Sequence, residues 1–326
     1  MAVAGAARRS LRIGTRGSPL ALAQTNLVST SLRARYADLE IHVVRITTKG
    51  DILRDQPLAS IGGRGVFVGE LEAALRAGEI DVAVHSAKDL PSRLASDMVI
   101  AAFPPRGDAR DVLVSRSGRL DELPPGARVG TSSPRRACQI RALRADVEVA
   151  DVRGNVDTRL RKVAIGEYDA LVLAAAGLIR LARESEATEW LEAEQMIPAV
   201  GQGALAIETR FDDQTVATLI GDLDDPATRV AVTAERSFLA RLGAGCTAAA
   251  GAHAELESGD LGMGGGRSLT LAGMIGSVDG RLVRGVQHGS PEEADAIGVR
   301  LAEDLLARGG AEFLAAATRD EAARES

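Results

Sequence analysis

Arg12-Ile13-Gly14-Thr15-Arg16-Gly17-Ser18-Pro19-Leu20-Ala21-Leu22-Ala23-Gln24 returns, with one gap, as Arg128-Val129-Gly130-Thr131-Ser132-Ser133-Pro134-Arg135-Arg136-Ala137-Cys138-Gln139. Each copy reads as a short strand, a Gly-Thr turn, a Ser-Pro helix start and a helix, with Ser as N-cap and Pro at the first helical position. A second pair follows in the same order: Gly78-Glu79-Ile80-Asp81-Val82-Ala83-Val84 and Gly166-Glu167-Tyr168-Asp169-Ala170-Leu171-Val172-Leu173. Both read as a helix closed by glycine and then a buried strand, the first of them over Ile80 to Val84. Two pairs in one order predict two α/β domains of like topology facing one another. Strands alternate with helical patterns throughout, which predicts mixed, largely parallel sheets rather than sandwiches or bundles.

Boundaries fall at Pro104-Pro105, at Pro198 to Gly203 and near Asp224-Asp225-Pro226. After the last, Ala227 to Leu242 reads as a helix with Val230, Val232, Ala234, Phe238, Leu239 and Leu242 on its apolar stripe, ended by Gly243. Leu301, Leu305 and Leu306 close a smaller third domain in a helical pattern. Thr47 to Gly65 is rich in glycine and polar residues and reads as a mobile loop.

A chain of 326 residues accommodates two or three domains, and 45% apolar with 26% charged residues is an ordinary globular composition. The net charge of -6 and an aromatic content of 2% argue against a nucleic-acid binder. Two cysteines make no disulfide framework, and four scattered histidines show no metal-ligand spacing, so no metal is expected. The N-terminus has its charges after a small-residue run, the reverse of a signal peptide, and the longest apolar run (Ala170 to Ile179) is too short for a bilayer. A cytoplasmic location without membrane contact is the resulting expectation.

Against this acidic background, eight lysines and arginines crowd residues 131–162, with only Asp146, Glu148, Asp151 and Asp157 among them. Arg135 and Arg136 fall in the first turn of the Ser133-Pro134 helix, where the helix dipole disfavours cations by a few tenths of a kcal/mol. An anion held there by free N–H groups and arginines explains that placement, and a solvated basic face is the plain alternative. His85-Ser86-Ala87-Lys88-Asp89-Leu90-Pro91 follows a strand, where open α/β sheets bind ligands. Its neighbouring Lys88 and Asp89 offer an ammonium for an anion and a carboxylate for proton transfer, or simply a surface ion pair. Cys246 sits among small residues, either as a reactive thiolate or as a surface cysteine, whereas Cys138 reads as a packed side chain. Gly62-Gly63-Arg64-Gly65 is no phosphate loop.

Together these segments resemble the porphobilinogen deaminase (hydroxymethylbilane synthase) family. The likeness rests on Thr15 to Ala21, Gly65 to Leu71, His85 to Pro91, Val129 to Arg136, Arg153-Gly154-Asn155, Thr158-Arg159-Leu160, Pro198 to Gly203, Ala234-Glu235-Arg236 and Gly245-Cys246. It implies three α/β domains: 8–103 with 200–222, then 106–197, then 226–326 carrying the cysteine. The first two would resemble the lobes of type II periplasmic binding proteins. It implies a monomeric cytoplasmic transferase with a dipyrromethane cofactor joined by a thioether to Cys246. Four porphobilinogens would be added head to tail, with release of ammonia, into linear hydroxymethylbilane for tetrapyrrole biosynthesis. Each pyrrole carries an acetate and a propionate, which arginine recognises in bidentate fashion. By matching position, Asp89, Lys88 and Arg16 would serve catalysis. Cys246, Lys88, Asp89, Thr131, Ser132, Ser133, Arg135, Arg136, Arg153 and Gly154 would hold the cofactor. Arg16, Ser18, Phe67, Arg153, Arg159 and Arg180 would bind substrate. Departures from the pattern are Thr247-Ala248-Ala249-Ala250 after Cys246, Ser60 in place of a loop lysine and Pro134 in place of leucine. A non-catalytic two-lobed binding protein for an anionic small molecule shares the arginines, but needs neither Asp89 beside Lys88 nor an accessible thiol.

Overall fold

A computed structural model describes residues 10–48, 68–243, 249–257 and 267–325. Phe67, Ser60 and the Thr47–Gly65 loop beyond Thr48, together with Cys246 and its flanks, lie outside the described residues.

The chain divides into two compact units, one from the described residues within 1–53, 64–106 and 204–229, the other from those within 107–203 and 230–326. In the first unit, strand β1 (Ser10–Arg16) leads into helix α1 (Pro19–Arg35), and β2 (Glu40–Ile46) returns alongside it. Helix α2 (Gly69–Arg76) precedes β3 (Val82–Ser86), and β4 (Met98–Ala102) follows. The second unit begins with β5 (Asp111–Ser115), β6 (Arg128–Gly130) and helix α3 (Pro134–Leu143). Then come β7 (Glu148–Ala150), helix α4 (Val156–Ala164), β8 (Ala170–Ala174), helix α5 (Ala175–Arg180) and β9 (Glu189–Leu191). Strand β10 (Leu205–Arg210) then joins the first sheet, whose order is β2-β1-β3-β10-β4, while the second is β7-β6-β8-β5-β9.

Substituting β6 for β1, β7 for β2, β8 for β3, β5 for β10 and β9 for β4 converts one sheet into the other. The directions match as well: β1 runs parallel to β2 and β3, and β6 parallel to β7 and β8. The partner strand on the far side, β10 or β5, is antiparallel to both of its neighbours. The repeat therefore holds at the level of topology. The sheets are mixed but not largely parallel, since half the pairings in each are antiparallel.

The local chemistry of the repeat is visible in both copies. Ser18 Oγ accepts the N–H of Ala21 at 3.2 Å, and Ser133 Oγ accepts that of Arg136 at 3.4 Å. Pro19 and Pro134 occupy the first helical turn, where the missing N–H costs nothing. Gly78 and Gly166 take φ of +66° and +78° just past their helices, a region open to glycine at no steric cost.

Strand β3 begins two residues later than the apolar run suggested and extends to Ser86. Asp81 is diverted into an ion pair with Arg12, whose Nη2 donates to Oδ1 at 2.7 Å, and β10 keeps β3 paired as far as Leu205↔Ser86. His85 and Ser86 are thus strand residues, and Ala87–Asp89 form a single 3-10 turn at the strand's carboxyl end.

Helices α6 (Gln214–Gly221) and α7 (Pro226–Leu242) precede an antiparallel meander of β11 (Ala249–Glu257), β12 (Ser268–Gly276) and β13 (Leu282–Gly289). Helix α8 (Ala294–Leu305) covers the meander, and the chain kinks at Gly309 (φ +108°) into α9 (Ala311–Glu325). Phe238 of α7 and Leu301 and Leu305 of α8 meet Leu269, Leu271 and Ile275 of β12 in one fully buried core. No helix among the described residues is long and apolar enough to cross a membrane.

Candidate functional site

In the first unit, the carboxyl ends of β1 and β3 enclose a cavity of about 60 Å³ lined by Arg16, Ser18, Gln24, His85, Ser86 and Asp89. Strand pairing brings β1 beside β3 (Ile13↔Val82, Gly14↔Ala83), so residues about 70 positions apart in sequence converge. Gln24 donates from Nε2 to Ser86 Oγ at 2.8 Å, tying α1 to β3 across the cavity wall. Sequence reading named Arg16, Ser18 and Asp89. It gave no role to Gln24, Ser86 or His85, although His85 and Ser86 stand inside the quoted His85–Pro91 segment. Lys88 is exposed in the same 3-10 turn as Asp89.

The remaining described candidates lie in the second unit. Arg135 and Arg136, expected to await an exogenous anion, already have an internal one. Arg135 Nη1 donates to Asp111 Oδ2 at 2.8 Å, and Arg136 Nη2 donates to Asp111 Oδ1 at 2.7 Å. All three residues are buried, at 3%, 7% and 0% exposure. Burial alone would raise the Asp111 carboxyl pKa, but the two guanidiniums outweigh it and hold Asp111 far below the usual carboxylate range. Arg136 also donates to Val172 O at 3.0 Å, and Gln202 Nε2 donates to Asp111 Oδ1 at 2.8 Å. The first-turn arginines are thus turned inward, where they fix α3 to β5 and to the Pro198–Gly203 segment. A sequence signal for Asp111 exists: it is the one acid heading the apolar run Val112-Leu113-Val114.

The N-terminal turn of α3 is shaped by hydroxyls. Thr131 Oγ1 accepts the Ser133 N–H at 3.2 Å. Ser132 Oγ both donates to Val152 O and accepts the Val152 N–H, fastening this turn to the Arg153-Gly154 loop. Gly154 stands at φ +112° with Thr158 packed where a Cβ would point, 2.6 Å away, so only glycine fits. Asn155 caps α4 by accepting the Thr158 N–H at 2.9 Å.

Three further arginines behave differently from the buried pair. Arg153 pairs with Asp151 at 3.2 Å. Arg159 donates from Nε to Gly154 O at 2.8 Å, and Arg180 from Nη2 to Gly203 O at 2.5 Å. Neither Arg159 nor Arg180 pairs with a carboxylate among the described residues. Desolvation pushes both guanidiniums down to about 10, with Arg136 and Arg153 adding like-charge repulsion at Arg159. A half-buried cation in that condition gains from any anion that reaches it. Groups of histidine, cysteine and carboxylate able to hold a metal are absent among the described residues.

The third sheet rests on this arrangement within the same unit. Gly251 of β11 passes so close that a Cβ there would lie 2.6 Å from Pro198 O and 2.8 Å from Arg135 Cδ. Glu235 of α7, fully buried, accepts the N–H of Gly201 at 2.6 Å and of Ala254 at 2.8 Å. Cys138 of α3 is buried against Gly276, and desolvation raises its thiol to about 11, so it is a packed side chain and not a nucleophile.

Fold and cations together define an α/β protein built on twin sheets, one of which carries half-buried arginines without carboxylate partners among the described residues. Comparison with known proteins narrows that class. Residues 11–218 match the family model described as porphobilinogen deaminase, dipyromethane cofactor binding domain, and residues 229–307 match porphobilinogen deaminase, C-terminal domain. A porphobilinogen deaminase of Roseiflexus castenholzii is 55% identical over 309 residues, covering 94% of this chain and 99% of that protein. That of Syntrophus aciditrophicus is 48% identical over 302 residues, covering 92% and 96%. Among solved structures, the periplasmic aliphatic sulphonate binding protein SsuA from Escherichia coli aligns with a TM-score of 0.38 and 16% identity, over 71% of this chain and 70% of that one. The chain belongs to the porphobilinogen deaminase family, transferases of porphyrin biosynthesis. The purely binding alternative is set aside by that membership.

Proposed function

We propose that this chain joins four porphobilinogen molecules head to tail into hydroxymethylbilane, releasing ammonia at each addition, on a dipyrromethane group bound through a thioether to Cys246. The observation that carries the reading is the pair Arg159 and Arg180, half-buried cations without a carboxylate partner among the described residues. A chain of pyrroles bearing acetate and propionate groups is the polycarboxylate they lack. The donor set suits that group, since guanidiniums and backbone N–H groups at the α3 start are all donors, and neither Arg159 nor Arg180 is ion-paired among the described residues. When bound, the dipyrromethane supplies the pyrrole to which the first substrate is joined.

Roles follow from position. Arg153, Arg159 and Arg180 bind carboxylates, with Ser132 and Gly154 shaping the loop that presents the first two. Arg135 and Arg136 hold α3 in place through Asp111 and serve the carboxylates through the helix start they position. Thr131 and Ser133 order the same turn. In the first unit, Arg16 and Ser18 bind substrate carboxylate at the cavity, with Phe67 as an apolar neighbour for a ring. Lys88 offers an ammonium beside Asp89. The Asp89 carboxylate stabilises positive charge that develops on the pyrrole as the amine leaves and accepts the pyrrole N–H. Strand β11, which starts three residues after Cys246, lies over Arg135, and this supports an attachment point near α3.

The test is kinetic and structural together. Replacing Arg159 and Arg180 with leucine is expected to raise KM for porphobilinogen or block cofactor assembly while circular dichroism stays unchanged. Wild-type kinetics in both variants would remove the carboxylate-binding assignment. A monomer in the cytoplasm is the setting this reading proposes, checked by light scattering and fractionation.

A further inference from the structure

Among the described residues that line the cavity, His85 carries the one ring, and it is buried. It lies on β3 opposite Ala206 of β10, and its Nε2 stands 3.0 Å from Glu208 Oε2 two residues along that strand. Glu208 is fully buried, and its second oxygen has no hydrogen-bond partner among the described residues. A buried carboxylate with one donor depends on that donor strongly. The imidazole N–H is therefore drawn to Nε2. With Nε2 committed, the other ring nitrogen, Nδ1, is left without a protein partner among the described residues. His85 also lines the cavity that holds Asp89 and Arg16. A carboxylate that fixes an imidazole's tautomer and leaves its other nitrogen open to a substrate cavity is the geometry of an oriented base.

We propose that His85 is a proton-accepting group of the Asp89 cavity, with Glu208 the positioning residue that sets its tautomer. The proposal rests on the condensation reading above. In each addition a ring carbon forms a new bond to carbon and loses its hydrogen. Nδ1 takes that proton while the C–H electron pair returns to the ring. The substrate's aminomethyl group enters as its ammonium, and its C–N bond breaks with the electron pair going to nitrogen, which is freed as ammonia. The proton then passes from Nδ1 to ammonia, and ammonium departs, so His85 begins the next addition neutral. Asp89 stabilises charge, and His85 moves the proton.

The tautomer is read first, on the holoenzyme labelled with 15N-histidine, by two-bond 1H–15N correlation; the His85 pattern is the one that His85→Gln removes. The expected pattern is a neutral ring protonated at Nε2, altered in Glu208→Gln. A ring protonated at Nδ1, or a pattern that Glu208→Gln leaves untouched, overturns the proposal. In kinetics, His85→Gln carrying its cofactor by intact mass is expected to lower kcat on the order of 10²-fold with KM unchanged. Unchanged kcat, or a loss confined to KM, overturns it as well. Wild-type turnover of porphobilinogen, measured alongside, separates failure of this proposal from failure of the underlying reading.

Discussion

Asp111 reverses the meaning of the two arginines that its sequence neighbourhood made conspicuous. Their placement in the first turn of α3 was readable, and so was the need for an anion, but the anion is an aspartate on another strand. Nothing in a linear pattern states that a strand's leading acid will be covered by a helix beginning 23 residues later. The consequence is testable. Asp111→Asn leaves two buried guanidiniums uncompensated and is expected to cost about 3–5 kcal/mol, read as a lower urea midpoint. Because the folded-state carboxyl pKa is depressed, the stability Asp111 contributes is complete above the unfolded value of about 3.9. It is lost only as pH falls below that value towards the folded one. Wild-type stability is therefore expected to decline below about pH 4 more steeply than that of Asp111→Asn; parallel acid profiles would contradict the pairing. At the cavity, Asp89→Asn is expected to keep its cofactor by intact mass and lose nearly all turnover. Normal turnover would remove Asp89 from the chemistry.

Helix starts and ends were the best-read elements, because their signals are local. Ser18-Pro19 and Ser133-Pro134 each set a cap within four residues, and Gly78 and Gly166 each set a left-handed turn within one. Ser133→Ala is expected to cost about 1 kcal/mol in thermal or denaturant unfolding, a value typical of lost N-caps, and an unchanged midpoint would show the cap idle. Strand ends and directions were less readable. A five-residue strand such as Asp111–Ser115, with its three apolar residues Val112 to Val114, looks the same whether its neighbours run parallel or antiparallel. The antiparallel partners β5 and β10 are consequently invisible until the sheets form. The third sheet shows how elements meet: β11 approaches Arg135 and Pro198 through Gly251, where no side chain fits. Gly251→Val is expected to cost about 1–3 kcal/mol by overpacking and to lower activity by displacing α3. Full stability and activity would mean the contact is slack.

At the scale of the molecule, one topology serves twice. The same strand order and directions place the β1–α1 turn at the Asp89 cavity in one sheet and the β6–α3 turn at the cation-rich surface in the other. Repeat segments carry this legibly because both copies keep the residues their turns require. Divergence lies in the side chains on those turns: Arg16 lines a cavity, while Arg135 and Arg136 turn into the core. The proposed attachment of the cofactor falls on Cys246, four residues after α7 in the sequence. Intact mass of the natively expressed, active protein tests that assignment most directly. The account predicts a mass excess of one dipyrromethane, lost in Cys246→Ser along with activity. An active protein with the unmodified mass of its sequence would contradict it.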